Sequence, residues 1–193
     1  MKFTMAKTCV LLGTLTPTWM PGQSSGSPVV KDFVAGGKVE ITLESGGYNI
    51  QPSADNRIRV RWNEASGRGV KVQMATHEKS AEIKVGNTPN NFHATIEVPP
   101  QTELRIRLTA GALTVSGIRG DKDIESNAGD VIVDVGKNSD WEEVDASVTA
   151  GDLSAPAFAT SKGGLFRSLH WKGHGKYRLH VSLTAGSLKL RTG

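Results

Sequence analysis

The chain has 193 residues and a mass of 20.6 kDa, room for one domain of ordinary size. With 37% hydrophobic and 22% charged residues it should bury a core rather than stay disordered, and no apolar run approaches the roughly 18 residues that a membrane-spanning helix needs. The net charge is +4, and the one cysteine, Cys9, lies so near the start that a processed chain would hold none, which sets aside disulfides, cysteine-ligated zinc and thiol nucleophiles.

The first residues have the pattern of an export signal. Lys2 and Lys7 supply a positive start, Cys9 to Leu15 a short apolar core, and Gly22 and Ser24 are small residues placed for a cut after Ser24. Residues 1–24 are therefore expected to be a signal peptide, and the mature protein to be periplasmic or extracellular. No apolar residues stand just before Cys9, so a lipid-attachment site is not expected. Residues 25–37 are expected to be a linker, beginning with the Ser- and Gly-containing stretch up to Pro28. Gly22-Gln23-Ser24-Ser25-Gly26 matches the hydrolase pattern G-x-S-x-G, but a nucleophile elbow needs a strand before it and a helix after it, and the signal junction offers neither.

From Val39 onward the pattern has period two. Val39 to Leu43, Ile58 to Trp62, Val70 to Met74, Ala81 to Val85, Ala94 to Val98 and Leu104 to Leu108 each alternate apolar and polar residues. Alternation puts the apolar set on one face and the charged set on the other, so these are half-buried strands. Gly46-Gly47, Ser66-Gly67, Asn87 to Asn91 and Pro99-Pro100 punctuate them as turns.

A repeat follows. Thr109-Ala110-Gly111-Ala112-Leu113, Asn127-Ala128-Gly129-Asp130-Val131, Thr149-Ala150-Gly151-Asp152-Leu153 and Thr184-Ala185-Gly186-Ser187-Leu188 share one core, with glycines 18, 22 and 35 residues apart, and Glu44 to Ile50 is a degenerate earlier copy. Small residues recurring at one point suit a corner at which stacked chains approach closely, and the Leu or Val after it should point inward. Val115, Val131, Val133, Leu153, Leu188 and Leu190 are the predicted core of this half. The longest gap, filled by Ser161 to Tyr177, implies an insertion or a hairpin. The expected fold is all-β, a single-stranded β-solenoid over residues 38–193 with irregular early coils and negligible helix.

Charge is arranged in blocks. Residues 57–120 hold ten basic and five acidic residues, 121–152 two basic and ten acidic, and 153–193 seven basic and none acidic. Arg57, Arg59, Arg61, Lys84, Arg105 and Arg107 fall at outward strand positions and could form a basic stripe that meets an anionic polymer through several weak contacts. Nucleic acid is not the expected partner, because aromatic residues for base stacking are only 6% of the chain. His170 and His174 are four apart, a helical metal spacing, but the glycines at 173 and 175 argue against a helix. No metal, cofactor or catalytic residue is expected. Asp130 and Asp152 share a register position, and would stack and repel if their coils were neighbours. Asp121, Asp123, Asp130, Asp134, Asp140, Asp145 and Asp152 form a dense acidic set, of the kind that a small carbohydrate-active enzyme would use.

The stretch Ile96-Glu97-Val98-Pro99, then Leu104 to Leu108, then the Ala-Gly copies resembles a bacterial family of adhesin-type β-strand-repeat domains of unknown function. Trp171-Lys172-Gly173-His174-Gly175-Lys176-Tyr177-Arg178-Leu179, followed by Thr184 to Leu188, is similar to that family's closing pattern, so the resemblance runs over residues 38–191. It implies a right-handed solenoid in the cell envelope and brings no catalytic residues with it. The expected function is non-catalytic: an exported envelope protein for interaction, adhesion or scaffolding, whose partner is an anionic envelope polymer or another envelope protein. The alternatives are the carbohydrate-active enzyme on the aspartates and a sensor of anionic envelope molecules on the basic blocks.

Overall fold

The computed structural model describes residues 22–24, 27–65 and 67–192. The apolar part of the expected signal lies outside them. The protein is all-β, and its only helical pieces among these residues are two short 3-10 turns, Asn138–Asp140 and Pro156–Phe158. The strands are β1 (Gly22–Ser24), β2 (Val29–Asp32), β3 (Lys38–Leu43), β4 (Gly46–Pro52), β5 (Arg57–Trp62), β6 (Lys71–His77), β7 (Ser80–Gly86), β8 (His93–Val98), β9 (Glu103–Val115), β10 (Lys122–Asp134), β11 (Trp141–Ala155), β12 (Thr160–Lys172) and β13 (Tyr177–Arg191). The alternating runs all become strands with their apolar residues inward.

The long strands carry the architecture. In β9, Leu104, Ile106 and Leu108 are buried, the phase then slips across Ala110-Gly111, and Leu113 and Val115 are buried next. Strands β10, β11 and β13 slip at the same point. Each of these strands therefore contributes one arm to each of two walls, whose inward faces share a single core. All six predicted core residues of the repeat, Val115 to Leu190, are at most 1% exposed.

Parallel, in-register pairing brings the copies together. Gly111 pairs with Gly46 and Gly129, Gly129 with Gly186, and Gly186 with Gly151. The four glycines of the full copies have φ between +117° and +136°. A Cβ built on Gly129 would overlap the carbonyl oxygen of Gly111, one on Gly186 that of Gly129, and one on Gly151 that of Gly186. The repeat needs glycine for two reasons at once: a left-handed backbone, and a neighbouring chain with no space between.

The stacked levels are not consecutive in the chain. Across the first wall the order is β1-β6-β7-β3-β9-β10-β13-β11-β12. Across the second, β2, β5, β8 and β4 lead to the same long strands. The parallel stack is bounded by antiparallel strands: β6 and β5 at one end, β12 at the other. The sheet is open. After β10 the chain skips one strand spacing, about 4.8 Å, and β11 and β12 form the hairpin that the repeat gap implies. Strand β13 then fills the vacant place between β10 and β11. Successive single-stranded winding is thus replaced by an inserted last strand.

At the start of the chain, β1 pairs with β6 and β2 pairs with β5. Val29 and Phe33, within the stretch read as a linker, are 6% and 4% exposed, so packing begins at Val29 rather than at residue 38.

Candidate interaction surface

In-register pairing also aligns the outward side chains into rows across the strands. On the first wall one row runs Glu40 (β3), Arg105 (β9), Asp123 (β10), His180 (β13), Asp145 (β11) and His170 (β12). The next runs Thr42, Arg107, Glu125, Ser182, Ser147 and Ser168. Acidic residues alternate with an arginine or a histidine along the first row, which is how the basic and acidic blocks of the sequence complement each other in space.

The six outward cations fall into two groups. Lys84, Arg105 and Arg107 stand on the first wall, Arg57, Arg59 and Arg61 on β5 in the second. Each has an acidic partner. Arg107 reaches Asp123 at 3.2 Å and Glu125 at 2.9 Å, and Arg105 reaches Asp123 at 3.5 Å. Lys84 lies 2.6 Å from Glu82, and Arg57 lies 2.9 Å from Asp32. Arg59 holds Asp55 at 2.5 Å and Glu97 at 3.6 Å, while Arg61 also pairs with Glu97. The hydrogen bond from Arg59 holds the Asp55 carboxyl below the usual carboxylate range. Glu97 is only 7% exposed and takes a further hydrogen bond from Gln51, so the β5 cations close over a nearly buried carboxylate. An anionic polymer would have to compete with a carboxylate at every one of these six positions.

Asp130 and Asp152 do not meet. Ser187 of β13 sits between them in register, so a hydroxyl separates the two carboxylates. Asp145 instead joins a different group. His170 Nδ1 is 2.5 Å from its Oδ1, and Glu143 is two residues along the same strand. His174 lies in the turn after β12, apart from this group. Asp121, Asp123, Glu143, Asp145 and His180 line a shallow hollow of about 280 Å³ on this wall. A larger hollow on the second wall, about 510 Å³, has Tyr48, Trp62 and Ala94 in its lining together with Asn49, Arg61 and His93.

Strand β12 ends the stack. Among the described residues no strand pairs with its outer side. It carries the two most exposed large apolar side chains described, Leu165 at 63% and Phe166 at 80%. Gly164 and Phe166 both have positive φ, +113° and +52°, while the pairing with β11 stays one for one, Leu165 opposite Ala150 and Gly164 opposite Gly151. The basic residues Lys162 and Arg167 flank them.

No family model matches the chain, and no curated protein does. The fold is shared with a solved structure. That crystal structure, of a putative cell adhesion protein from Clostridium sporogenes, matches with a TM-score of 0.55 at 15% identity, over 90% of this chain and 100% of the other. At that identity the likeness is one of fold.

Two features were not legible in the residues alone. The meeting of Glu143, Asp145 and His170 depends on the antiparallel register of β11 and β12, which the 35-residue gap hints at without specifying. The prominence of Leu165 and Phe166 depends on β12 being an edge; as sequence, Gly-Gly-Leu-Phe-Arg reads as an ordinary turn followed by a strand.

Proposed function

We propose that this chain is a non-catalytic, exported protein of the cell envelope that adheres to a partner through the β12 edge. In this reading the stacked levels form a stiff, solenoid-like body, and the edge is its contact element. The observation that carries it is the exposure of Leu165 and Phe166 on an edge strand, inside the 153–193 block that holds seven cations and no acid. Burying a leucine and a phenylalanine is worth about 1.5 to 3 kcal/mol each, enough to anchor a small contact. The flanking Lys162 and Arg167 favour a partner segment that is acidic as well as apolar, and they disfavour a second copy of the same edge. The structural neighbour with an adhesion name supports the direction of the reading.

The test has two parts. Cell fractionation should find the protein outside the cytoplasm and shortened by about two dozen residues. Beads coated with the mature chain should bind isolated bacterial envelopes, and Leu165→Ser/Phe166→Ser should lose at least about tenfold of that binding. Binding that survives this double change, but is lost in Arg59→Glu/Arg61→Glu/Arg107→Glu, would move the contact to the paired cations and to an anionic polymer. A cytoplasmic, full-length chain would overturn the envelope assignment.

A further inference from the structure

Two carboxylates and an imidazole converge where β11 meets β12. Glu143 and Asp145 are two residues apart on β11 and so share a face, and His170 stands directly opposite Asp145 on β12. One ligand atom from each lies within 4.8 Å of the other two. The side chains are 33%, 41% and 58% exposed, so an ion can reach them from solvent. On the other flank of Asp145, His180 of β13 is in register and lines the hollow that Glu143 and Asp145 also line.

We infer that Glu143, Asp145 and His170 bind a divalent transition-metal ion of the zinc class, with water completing the coordination. Donors held at about 2.0 to 2.2 Å from one zinc ion lie a little over 3 Å apart, so the observed spread of up to 4.8 Å has to contract by as much as about 1.5 Å, which side-chain rotation supplies. The donor set chooses the ion. One imidazole with two carboxylates suits zinc, nickel or copper, whereas calcium asks for six to eight oxygens. The charge also fits, since two carboxylates beside a neutral imidazole are balanced by a doubly charged ion. Competition from neighbouring cations is weak. Lys172 is 3.8 Å from Glu143 and 70% exposed, so it can turn away into water, and Arg178 is held by Glu142 at 2.9 Å. On binding, the ion would take the place of the direct hydrogen bond between His170 and Asp145 and would fasten the terminal strand to its neighbour. The inference does not depend on the adhesion reading.

Calorimetric titration of the tag-free chain with zinc chloride tests it. One ion per chain is expected, with a dissociation constant in the micromolar range and no comparable heat from calcium. His170→Ala and Asp145→Asn should each weaken zinc binding at least about tenfold, while His174→Ala leaves it unchanged. Circular dichroism of the variants establishes that they fold. Absence of zinc binding below about 0.1 mM, equal losses in all three variants, or calcium binding as tight as zinc would overturn the proposal.

Discussion

Lys122 occupies an inward position. It lies in register between Leu104 and Leu179 and is 3% exposed. Its Nζ donates to the Gly120 carbonyl at 3.0 Å and sits 4.8 Å from the centre of the Trp141 ring. Burial lowers its pKa from 10.5 to about 8, against the opposing pull of Asp121. Below pH 8 both the folded and the unfolded chain carry the charge, and the fold bears the full cost of keeping it out of water. Between pH 8 and 10.5 the unfolded chain binds the proton more often, so stability must rise with pH across that window. The depressed pKa corresponds to about 3 kcal/mol in all, of which about 2 kcal/mol should appear between pH 7 and 9.5. Replacing Lys122 by Met removes this cost but also removes a cation–π contact worth about 0.5 to 2 kcal/mol and a hydrogen bond worth about 1 kcal/mol. The two sides nearly cancel at pH 7, where Lys122→Met is expected to be neutral or more stable by about 1 kcal/mol. The pH dependence is the sharper measurement. Urea unfolding from pH 7 to 9.5 should show wild-type stability rising relative to the variant by about 2 kcal/mol. Curves for the two proteins that run parallel over that range would refute the reasoning. Above pH 10 Tyr48, whose pKa burial raises, acts in the opposite sense in both proteins: its stabilising effect is present below the unfolded value of 10 and is lost above it, so each curve falls there while their difference is unaffected.

The glycine column predicts an asymmetry between two Gly→Ala changes. Gly129→Ala, which drives a methyl group into the carbonyl of Gly111, should cost more than about 3 kcal/mol in chemical unfolding, whereas Gly36→Ala, at positive φ in open space, should cost about 1 kcal/mol. Val131→Asp places an unpaired charge in the core and should destabilise by several kcal/mol, so a thermal midpoint equal to wild type would show the repeat to be misplaced. Glu97→Gln, which weakens a nearly buried carboxylate's hold on Arg59 and Arg61, should cost about 1 to 2 kcal/mol, while Glu82→Gln, half exposed beside Lys84, should be silent in the same assay.

The sequence alone determined what depends on local periodicity. Alternation in Val39 to Leu43 or Leu104 to Leu108 names both the strand and its buried face, because side chains on a strand alternate whatever it pairs with. The Ala-Gly copies name the corners, because a left-handed backbone packed against a neighbour leaves room only for glycine. The shared register of the copies follows as well, since slipping one strand by a single residue would expose its whole apolar set. The placement of the last strand does not follow. Copies that look alike pair equally well with one another, so nothing local tells β13 to enter between β10 and β11; the reach of the 135–140 connection and the turn-back of the β11–β12 hairpin decide that. From that one choice come the separation of Asp130 from Asp152 by Ser187, the flanking of Asp145 by two histidines, and the exposed edge of β12. Charge pairing was foreshadowed by the alternating blocks, but which carboxylate meets which cation is a cross-strand matter. Residues 61 and 97 are 36 positions apart in the chain and come together only because β5 runs antiparallel to β8. Strand identity and facing are local properties that the residues carry with them, whereas neighbours across a sheet are set by the order in which the whole chain packs.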